Sequence, residues 1–501
     1  MTDQLSAQSA PGTPATETSV VEAVRKDLYI DGKWRPAEGG KTFDVEDPST
    51  GNVLCSVADA SPKDGVAALD AAVAAQESWA ATPPRERGEI LRRSFEALMD
   101  RQDELALLMT LEMGKPLAEA KGEIAYAAEY FRWFAEEAVR IDGGYNIAGD
   151  GKSRVLVMKQ PVGPTLLITP WNFPMAMCTR KIGPAVAAGC TMVFKPAALT
   201  PLSALAVTEI LADAGLPGGV LNVVNTTQSG GVMEPLIRDC RARKLSFTGS
   251  TEVGRKLLEQ AADKVLRTSM ELGGNAPFIV FDDADVDQAV EGAIIAKMRN
   301  VGEACTAANR LYVHEAVADE FARKLAERMS ALVVGRGVDD GVTVGPLIDD
   351  RAVQKCERVV EDAVAKGAKL VLGGKRGDGD GHFYQPTVLT DVPHEADART
   401  TEIFGPVAPV VTFTSEDDVI REANDTEYGL VSYLFTNDLN RALRVSEKLD
   451  TGMIGLNRGL VANTGAPFGG VKQSGLGREG GAVGIEEFLE TKYVAIDGAK
   501  L

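Results

Sequence analysis

From residue 165 to residue 281 the chain alternates short apolar runs with stretches of helical spacing, and this pattern constrains the fold more than any other feature. The apolar runs are TLLIT, TMVFK, VLNVV, KLSF and APFIVF, and helices are predicted near 175–188, 201–213, 230–239 and 251–262. Each run has the length of a buried strand. Because strands separated by helices pair in parallel with helices on both faces, the pattern predicts a doubly wound α/β sheet.

A second α/β stretch follows from about residue 282 to residue 460, with helices predicted at 286–299, 315–332, 352–366 and 416–424. Two strand-like runs lie outside both alternations, SRVLVMKQP at 153–161 and TKYVAID at 491–497. An isolated strand leaves an open edge, so these two runs pair with each other or with a partner subunit. We therefore expect a homodimer or a homotetramer.

The overall charge narrows the function. The 501 residues carry a formal net charge of -19, which opposes binding to nucleic acid or to an anionic membrane. No apolar run approaches the roughly 18 residues of a membrane span. The first residues, MTDQLSAQSAPGTPATETS, have neither the basic nor the apolar region of a secretory signal. We expect a cytoplasmic protein that acts on small molecules and has a flexible tail over residues 1–24.

Metal ligands and catalytic histidines are scarce. None of the six cysteines belongs to a CxxC pair, and the three histidines, His314, His382 and His394, have no zinc-ligand spacing with them. We therefore expect no metal. A cysteine or serine nucleophile would have few histidines available as its base.

Three loops follow predicted strands, at the edge where parallel sheets bind ligands: TPWNFP (169–174), FKPAALTP (194–201) and FTGSTEVG (247–254). In the third, Gly249 and Gly254 leave room for close approach of the backbone, and a helix N-terminus favours an anion such as a pyrophosphate. A plain tight turn explains the glycines equally well. A later match to G-x-G-x-x-G, GLGREG at 475–480, lacks a preceding strand and a following unit of about 30 residues, so we reject it as a dinucleotide motif.

Two single residues are chemical candidates with open alternatives. Glu271 ends a strand in SMELGG, where burial would raise its pKa towards that of a general base, although many such carboxylates are simply solvated. Cys305 lies in RNVGEACTAANR. Considered alone it is most simply a packed small side chain, because free cysteine is among the most buried residue types.

Seven motifs that follow one another along the chain favour a functional role for Glu271 and Cys305 over a structural one. They are TPWNFP, FKPA, FTGSTEVG, MELGGNAP, GEAC, EIFGP and PFGGVKQSGLGRE. Together they resemble the NAD(P)-dependent aldehyde dehydrogenase superfamily, most closely its succinate-semialdehyde dehydrogenases, over the chain from about residue 25. The resemblance implies a cofactor-binding domain (25–146 and 168–279), an α/β catalytic domain (280–475) and a small β oligomerisation extension (147–167 and 476–501).

The resemblance implies the chemistry as well. Cys305 would attack an aldehyde, giving a thiohemiacetal and then a thioester, while the Asn172 amide and the Cys305 N–H hold the oxyanion. Glu271 would activate the water that releases the acid. Succinic semialdehyde is the expected substrate. The alternatives are another aldehyde (glutarate semialdehyde, an aliphatic or a cationic one), a thiol esterase, and a silent scaffold.

The implied cofactor is NADP or NAD. Where NAD-specific relatives often carry a glutamate that repels the 2′-phosphate, this chain has Ala198, which predicts that NADP is accepted. The implied cofactor contacts are Trp171, Asn172, Lys195, Ala197, Ala198, Gly249, Ser250, Gly254, Leu272, Glu402 and Phe404.

For the substrate, the resemblance implies that Arg180 and Arg299 grip a carboxylate, with Asn463 and Phe468 also at the site. The serine that many relatives use as a further anchor is Ala462 here, and Asn463 or Thr464 are its candidate replacements. Many relatives also have glutamine where this chain has Glu303. A carboxylate there would disfavour the thiolate if it pointed inward. Ala307 replaces the second cysteine of some relatives, which predicts no redox-switch disulfide.

Overall fold

A computed structural model describes residues 15–498, and its elements follow the alternation seen in the sequence. The strands are β1 Leu28–Ile30, β2 Lys33–Arg35, β3 Thr42–Asp47, β4 Asn52–Ala58, β5 Gly144–Ile147, β6 Ser153–Pro161, β7 Thr165–Ile168, β8 Met192–Lys195, β9 Leu221–Val223, β10 Lys244–Thr248, β11 Arg267–Glu271, β12 Ala276–Val280, β13 Ala308–His314, β14 Lys369–Leu372, β15 Thr387–Thr390, β16 Val407–Phe413, β17 Val431–Phe435, β18 Met453–Leu456, β19 Gly475–Leu476 and β20 Leu489–Asp497.

The helices lie mainly between these strands. They are α1 Glu17–Ala23, α2 Pro62–Ala81, α3 Pro84–Asp100, α4 Gln102–Met113, α5 Leu117–Glu137, α6 Pro174–Ala188, α7 Pro201–Asp213, α8 Ser229–Ile237, α9 Thr251–Ala262, α10 Val286–Met298, α11 Glu315–Ser330, α12 Asp350–Ala365, α13 Asp397–Thr400, α14 Glu416–Asn424, α15 Leu439–Lys448 and α16 Val483–Glu486. No helix within residues 15–498 combines the length and apolar character that a membrane crossing requires.

The first sheet confirms the predicted doubly wound architecture. Its eight strands run in the order β19-β11-β10-β7-β8-β9-β1-β2, and the five from β11 to β9 pair in parallel. Neighbouring residues of β7 point to opposite faces. Leu167 packs into a core with α3 to α7, whereas Leu166 and Ile168 pack into a second core with α2, α8 and α9. Helices therefore cover both faces of this sheet.

The second sheet has seven strands in the order β14-β15-β16-β13-β12-β17-β18, parallel except for β14. It includes β12, the run APFIVF, which the sequence pattern grouped with the first sheet. That assignment is wrong, because the chain leaves the first sheet after β11 and β12 inserts between β13 and β17. An apolar strand buried on both faces does not show by its composition which sheet it joins.

A third sheet of three strands, β20-β6-β5, contains both strand-like runs that lay outside the alternations. β6 and β20 pair antiparallel over nine residue pairs, from Pro161 opposite Leu489 to Ser153 opposite Asp497. Of the two alternatives left open by the sequence, pairing with each other is therefore correct. The outer edge of β20 has no strand partner within the described chain.

The predicted tail is partly wrong. Residues 1–14 lie outside the described part of the chain, but residues 17–23 form α1, which Thr16 caps. Val20 and Val21 of this helix are buried against the first domain core, so apolar contacts fix the segment in place.

Candidate active site

A cavity of about 640 Å³ lies where the carboxyl ends of β7, β10 and β11 meet the second sheet. Its lining includes eight of the predicted site residues: Trp171, Asn172, Gly249, Ser250, Leu272, Cys305, Glu402 and Phe404. Lys195, Ala197 and Gly254 do not line it. Ala198 lines a neighbouring cavity of about 140 Å³, which shares Leu199, Ile348 and Asp349 with the larger one. The volume lies within the range of small-molecule and cofactor sites.

The sequence did not indicate that α12 forms one wall of the larger cavity. Arg351 and Lys355, one helical turn apart, place two cations on this side of the cavity. Their spacing of four on a predicted helix was the available signal. The other lining residues that the sequence did not single out are Pro170, Leu199, Thr248 and Gly273, which lie within the quoted motifs, and Met177, Ile348, Asp349 and Ala352, which lie outside them.

A buried ion pair holds the TPWNFP loop. Lys115 pairs with Glu123, both almost fully buried, and Lys115 Nζ donates to the backbone oxygen of Asn172 at 2.9 Å. The Glu123 carboxylate also accepts from the N–H groups of Met175 at 3.0 Å and Ala176 at 3.2 Å, at the start of α6. The loop that carries Asn172 is therefore tied to α5 by charge, although no motif pointed to Lys115 or Glu123.

The Asn172 amide faces the loop of Cys305. Its Nδ2 donates to the backbone oxygen of Glu303 at 2.9 Å, and Asn300 Nδ2 donates to the backbone oxygen of Asn172 at 3.0 Å. This leaves one N–H of the Asn172 amide free, and the Cys305 N–H has no hydrogen-bond acceptor in the described chain. Two donors are thus available beside the thiol, which is the arrangement an oxyanion requires.

Cys305 is partly exposed to the cavity, yet its thiol is surrounded by protein. Burial raises its pKa to about 12, Arg180 and Arg299 lower that pKa, and Glu402 and Glu271 raise it. The thiol is therefore protonated near neutral pH, and reaction at the sulfur requires a base.

Glu271 ends β11 with its side chain buried, as its surroundings in the sequence predicted. Burial, followed by the like charge of Glu479, raises its pKa well above the usual range, against the opposing effect of Arg180 and other cations. Oε2 has no hydrogen-bond partner. Gly469, at φ 152°, makes room for this carboxyl, because a Cβ there would lie 2.8 Å from Oε1. A raised pKa and a free oxygen suit a general base.

Glu479, within the rejected GLGREG motif, is a functional candidate that the sequence did not reveal. Its carboxylate pairs with Arg180 Nε at 2.5 Å and with Lys181 Nζ at 2.6 Å, and all three side chains are buried. Burial would raise the pKa of Glu479, but Arg180 and Lys181 outweigh burial and lower it. Arg180 also lies 4.2 Å over the ring of Phe468. Arg180, one of the two arginines predicted to bind the substrate carboxylate, therefore already has a protein counterion.

Arg299 differs from Arg180 in having no such partner. Its guanidinium stacks on Phe173 at 4.6 Å and makes no hydrogen bond or ion pair within residues 15–498. It lines a second cavity of about 290 Å³, whose other lining residues are Lys115, Glu119, Gly122, Glu123, Tyr126, Phe173, Leu460 and Ala462. Of the two acids, Glu123 pairs with Lys115, and burial raises the pKa of Glu119. Asn463 does not line this cavity, and its Oδ1 accepts from the N–H of Gly465 within its own turn.

The Glu303 carboxyl bonds to the backbone at Ile348. Its Oε1 accepts from the N–H of Ile348 at 3.1 Å, and burial raises its pKa well above the usual range. The carboxyl therefore ties the Cys305 loop to the segment at Ile348, which lines the larger cavity.

The larger cavity fits a nicotinamide dinucleotide. Ser250 caps α9, whose N-terminus favours a pyrophosphate, and Gly254 lets α9 approach Leu272, since a Cβ there would lie 2.5 Å from Leu272 Cδ2. At the opposite wall Glu402 accepts from the N–H of Gly274 at 2.9 Å. Two α/β sheets, a cavity at the carboxyl ends of the strands and a cysteine beside two unbonded N–H donors are typical of nicotinamide-dependent oxidoreductases.

Comparisons with known proteins identify the family. The chain belongs to the aldehyde dehydrogenase family, whose model matches residues 34–494. It is 60% identical to a succinate-semialdehyde dehydrogenase of Paenarthrobacter nicotinovorans, over 89% of this chain and 99% of that protein. It is 54% identical to a glutarate-semialdehyde dehydrogenase of Pseudomonas putida, over 94% of this chain and 98% of that protein. A crystal structure of an E. coli NADP-dependent enzyme has 53% sequence identity to this chain and a TM-score of 0.94. The match covers 95% of this chain and 98% of that one. The chain is an enzyme that uses NAD or NADP.

Proposed function

We propose that this enzyme oxidises succinic semialdehyde to succinate, with Arg299 binding the far carboxylate. The observation that carries the proposal is a partly buried arginine that makes no ion pair or hydrogen bond within the described residues, in a cavity beside the Asn172 loop. A planar guanidinium grips a carboxylate through two parallel hydrogen bonds. The positive charge of Arg299 also lowers the pKa of the Cys305 thiol. A relative 60% identical to this chain is named for the same substrate.

The residues of the site supply the chemistry in a simple order. Glu271 accepts the proton of the Cys305 thiol and passes it to solvent, and the resulting thiolate attacks the aldehyde carbon. The Asn172 amide and the Cys305 N–H hold the oxyanion that forms. A bound nicotinamide cofactor supplies the hydride acceptor. Cys305 then carries the acyl group as a thioester, and Glu271 accepts a proton from the water that hydrolyses it. Burial raises the pKa of Glu271, which makes its carboxylate a stronger base.

Glutarate semialdehyde is the second candidate, because a relative 54% identical to this chain is named for it. It is longer than succinic semialdehyde by one methylene group, and a difference of that size usually changes discrimination by only about 10- to 200-fold. Arg299 would bind either carboxylate.

A panel of aldehydes tests the proposal, with absorbance of the reduced cofactor as the signal. Succinic semialdehyde and glutarate semialdehyde are compared with butanal, which lacks the carboxylate. Arg299→Gln should raise KM for the semialdehydes roughly 10- to 100-fold, the loss expected for hydrogen bonds to a charged group, and should leave butanal nearly unchanged. Arg92→Gln, at an exposed arginine of α3, is the control. Equal losses with butanal and the semialdehydes would remove the carboxylate-binding role.

We also propose that the enzyme is a cytoplasmic homodimer or homotetramer. The outer edge of β20 is unpaired in the described chain, and Tyr145, Ile147 and Tyr493 of the same small sheet are largely exposed. An apolar surface beside an open strand edge favours association. The six cysteines are free thiols, which fits a reducing compartment. Light scattering coupled to gel filtration measures the assembly, and a monomer at micromolar concentration would contradict it.

A further inference from the structure

The segment between α10 and the loop of Cys305 has a strained backbone. Asn300, Val301 and Gly302 follow one another with φ of 56°, 52° and 81°, all in the left-handed region. Glycine and asparagine adopt this region readily, but a β-branched residue such as valine does so only at a cost. Such a conformation persists where the surrounding structure fixes it. Because the segment joins Arg299 to the loop of Cys305, its geometry sets the relation between these two side chains.

A carboxylate from a distant part of the chain fixes the start of this segment. Glu119 Oε2 accepts from the N–H of Asn300 at 2.7 Å. Asn300 is fully buried, so without this bond its N–H would have no acceptor in the described chain. The Asn300 amide also donates to the backbone oxygens of Asn172 at 3.0 Å and of Glu303 at 2.9 Å. Asn300 therefore links α5 to the loops of Asn172 and Cys305.

The place of Glu119 in α5 suggests a simpler role, which its contacts do not support. Glu119 lies in the first turn of the helix, where an acid stabilises the partial positive charge of the N-terminus. Its carboxylate bonds instead to Asn300, and within the described chain it accepts from no N–H of its own helix. Burial raises the pKa of Glu119, whereas this hydrogen bond and two nearby cations, Lys115 and Arg299, act in the opposite direction. The main contact of Glu119 is therefore with the left-handed segment.

We propose that Glu119 is a positioning residue for the reaction: its carboxylate holds the left-handed segment and thereby keeps Arg299 and Cys305 in one fixed relation. The proposal rests on the proposed roles of these two residues, one binding the substrate carboxylate and the other attacking the aldehyde. A displacement of about 1 Å between reacting groups can cost about 100-fold in rate. Without its acceptor, the buried N–H of Asn300 would be left unsatisfied, and the segment would favour other conformations that expose it.

Three substitutions of Glu119 separate its hydrogen bond from its charge. Glu119→Gln removes the charge and keeps an acceptor oxygen at the same reach. Glu119→Asp keeps the charge, and with it the effect on the helix N-terminus, but withdraws the oxygen by one methylene group. Glu119→Ala removes both. If the bond to Asn300 decides activity, Glu119→Gln stays active and Glu119→Asp resembles Glu119→Ala; if the helix N-terminus decides it, the order is reversed.

Steady-state kinetics with succinic semialdehyde and butanal, at a saturating nicotinamide cofactor, provide the readout. Glu119→Ala and Glu119→Asp should lower kcat with both aldehydes at least about tenfold, because Cys305 moves away from the geometry of attack. They should also raise KM at least about fivefold for the semialdehyde alone, because Arg299 moves with the same segment. Glu119→Gln should keep both constants within about threefold of the unmodified enzyme. A loss of folded protein alone would leave KM unchanged.

The control and the refuting results are as specific. Glu136→Ala, at an exposed acid near the end of α5, should leave both constants unchanged. Equal losses in Glu119→Gln and Glu119→Ala would overturn the proposal, as would a kcat in Glu119→Ala within about twofold of the unmodified enzyme. If Glu119→Ala does not fold, Glu119→Asp takes its place, with the same result required.

The two aldehydes distinguish failure of this role from failure of the proposed substrate site. If Arg299→Gln affects butanal and the semialdehyde equally, while Glu119→Ala lowers kcat with butanal and Glu119→Gln does not, the carboxylate assignment fails alone. If Arg299→Gln raises KM for the semialdehyde only, and Glu119→Ala leaves that KM unchanged, the positioning role fails alone.

Discussion

Replacing Glu479 with glutamine would test whether the buried charges around Glu271 act as one network. Glu479 neutralises two cations, Arg180 and Lys181, each only 1% exposed. In the variant the cations keep weaker partners. Lys181 still donates to Ser246 Oγ at 2.8 Å, and Arg180 still lies over Phe468.

The expected cost in stability is large. Removing one partner of a buried ion pair usually costs about 3–5 kcal/mol, because the other charge is left uncompensated. Glutamine keeps the shape and one acceptor oxygen, so we expect the lower end, about 3 kcal/mol. The pKa of Glu479 is lowered in the folded state, so its contribution is present above the ordinary carboxyl pKa and is lost as the pH falls through the folded pKa. The difference between Glu479→Gln and the unmodified enzyme should therefore shrink in acid.

The same substitution should change the pH dependence of activity. Glu479 raises the pKa of Glu271 as a like charge, whereas Arg180 and Lys181 lower it. With the acid gone and both cations unopposed, the pKa of Glu271 falls. The acidic limb of the kcat profile should therefore move to lower pH.

Glu487→Gln is the matched control, because Glu487 lies in the same segment and pairs with buried Lys244 at 3.3 Å. Glu487 is not among the groups that shift the pKa of Glu271. The two variants are compared by the urea midpoint and by the pH profile of kcat with succinic semialdehyde. If Glu479→Gln unfolds at the same urea concentration as the unmodified enzyme, and its acidic limb stays in place, the network account is refuted.

Two further predictions follow from single contacts. Glu303→Gln should leave the rate of Cys305 alkylation by iodoacetamide within about twofold, since the carboxyl bonds to the Ile348 N–H and glutamine keeps that acceptor; a tenfold change would contradict a purely structural role. Glu123→Gln leaves buried Lys115 without its counterion and loosens the TPWNFP loop, so kcat should fall at least about tenfold with butanal and semialdehydes alike, and a change in KM alone would contradict it.

The elements predictable from the sequence were those fixed by local pattern. β7, β8 and β10 are short apolar runs between helices, and the structure forms them within a residue of the predicted bounds. β12 has the same local pattern, but its sheet is decided by pairing with β17, more than 150 residues away. Local composition carries no such information.

In the site, too, residues within local motifs were predictable, whereas contacts between distant parts of the chain were not. Cys305, Asn172 and Glu271 lie in motifs with a recognisable neighbourhood, and the structure brings Cys305 and Asn172 to one cavity with Glu271 close enough to act on the thiol. The pairing of Arg180 with Glu479 joins α6 to a segment near the C-terminus, across nearly 300 residues. The sequence could name an arginine as a candidate for substrate binding. It could not show that the arginine already had a partner.

Charge pairing across the molecule gives a rule for which cations face ligands. The chain has 72 acidic and 53 basic residues, so a buried cation has no shortage of possible partners. Lys115, Arg180, Lys181 and Lys244 each have a carboxylate. Buried Lys297 has two carbonyl acceptors instead, from Asn309 and Gly405. Lys195 and Arg299 have neither in the described chain, and Arg299 lies in the smaller cavity, where we propose that the substrate carboxylate binds. A cation without a protein counterion costs stability in the free enzyme, and a ligand anion that pairs with it offsets that cost on binding.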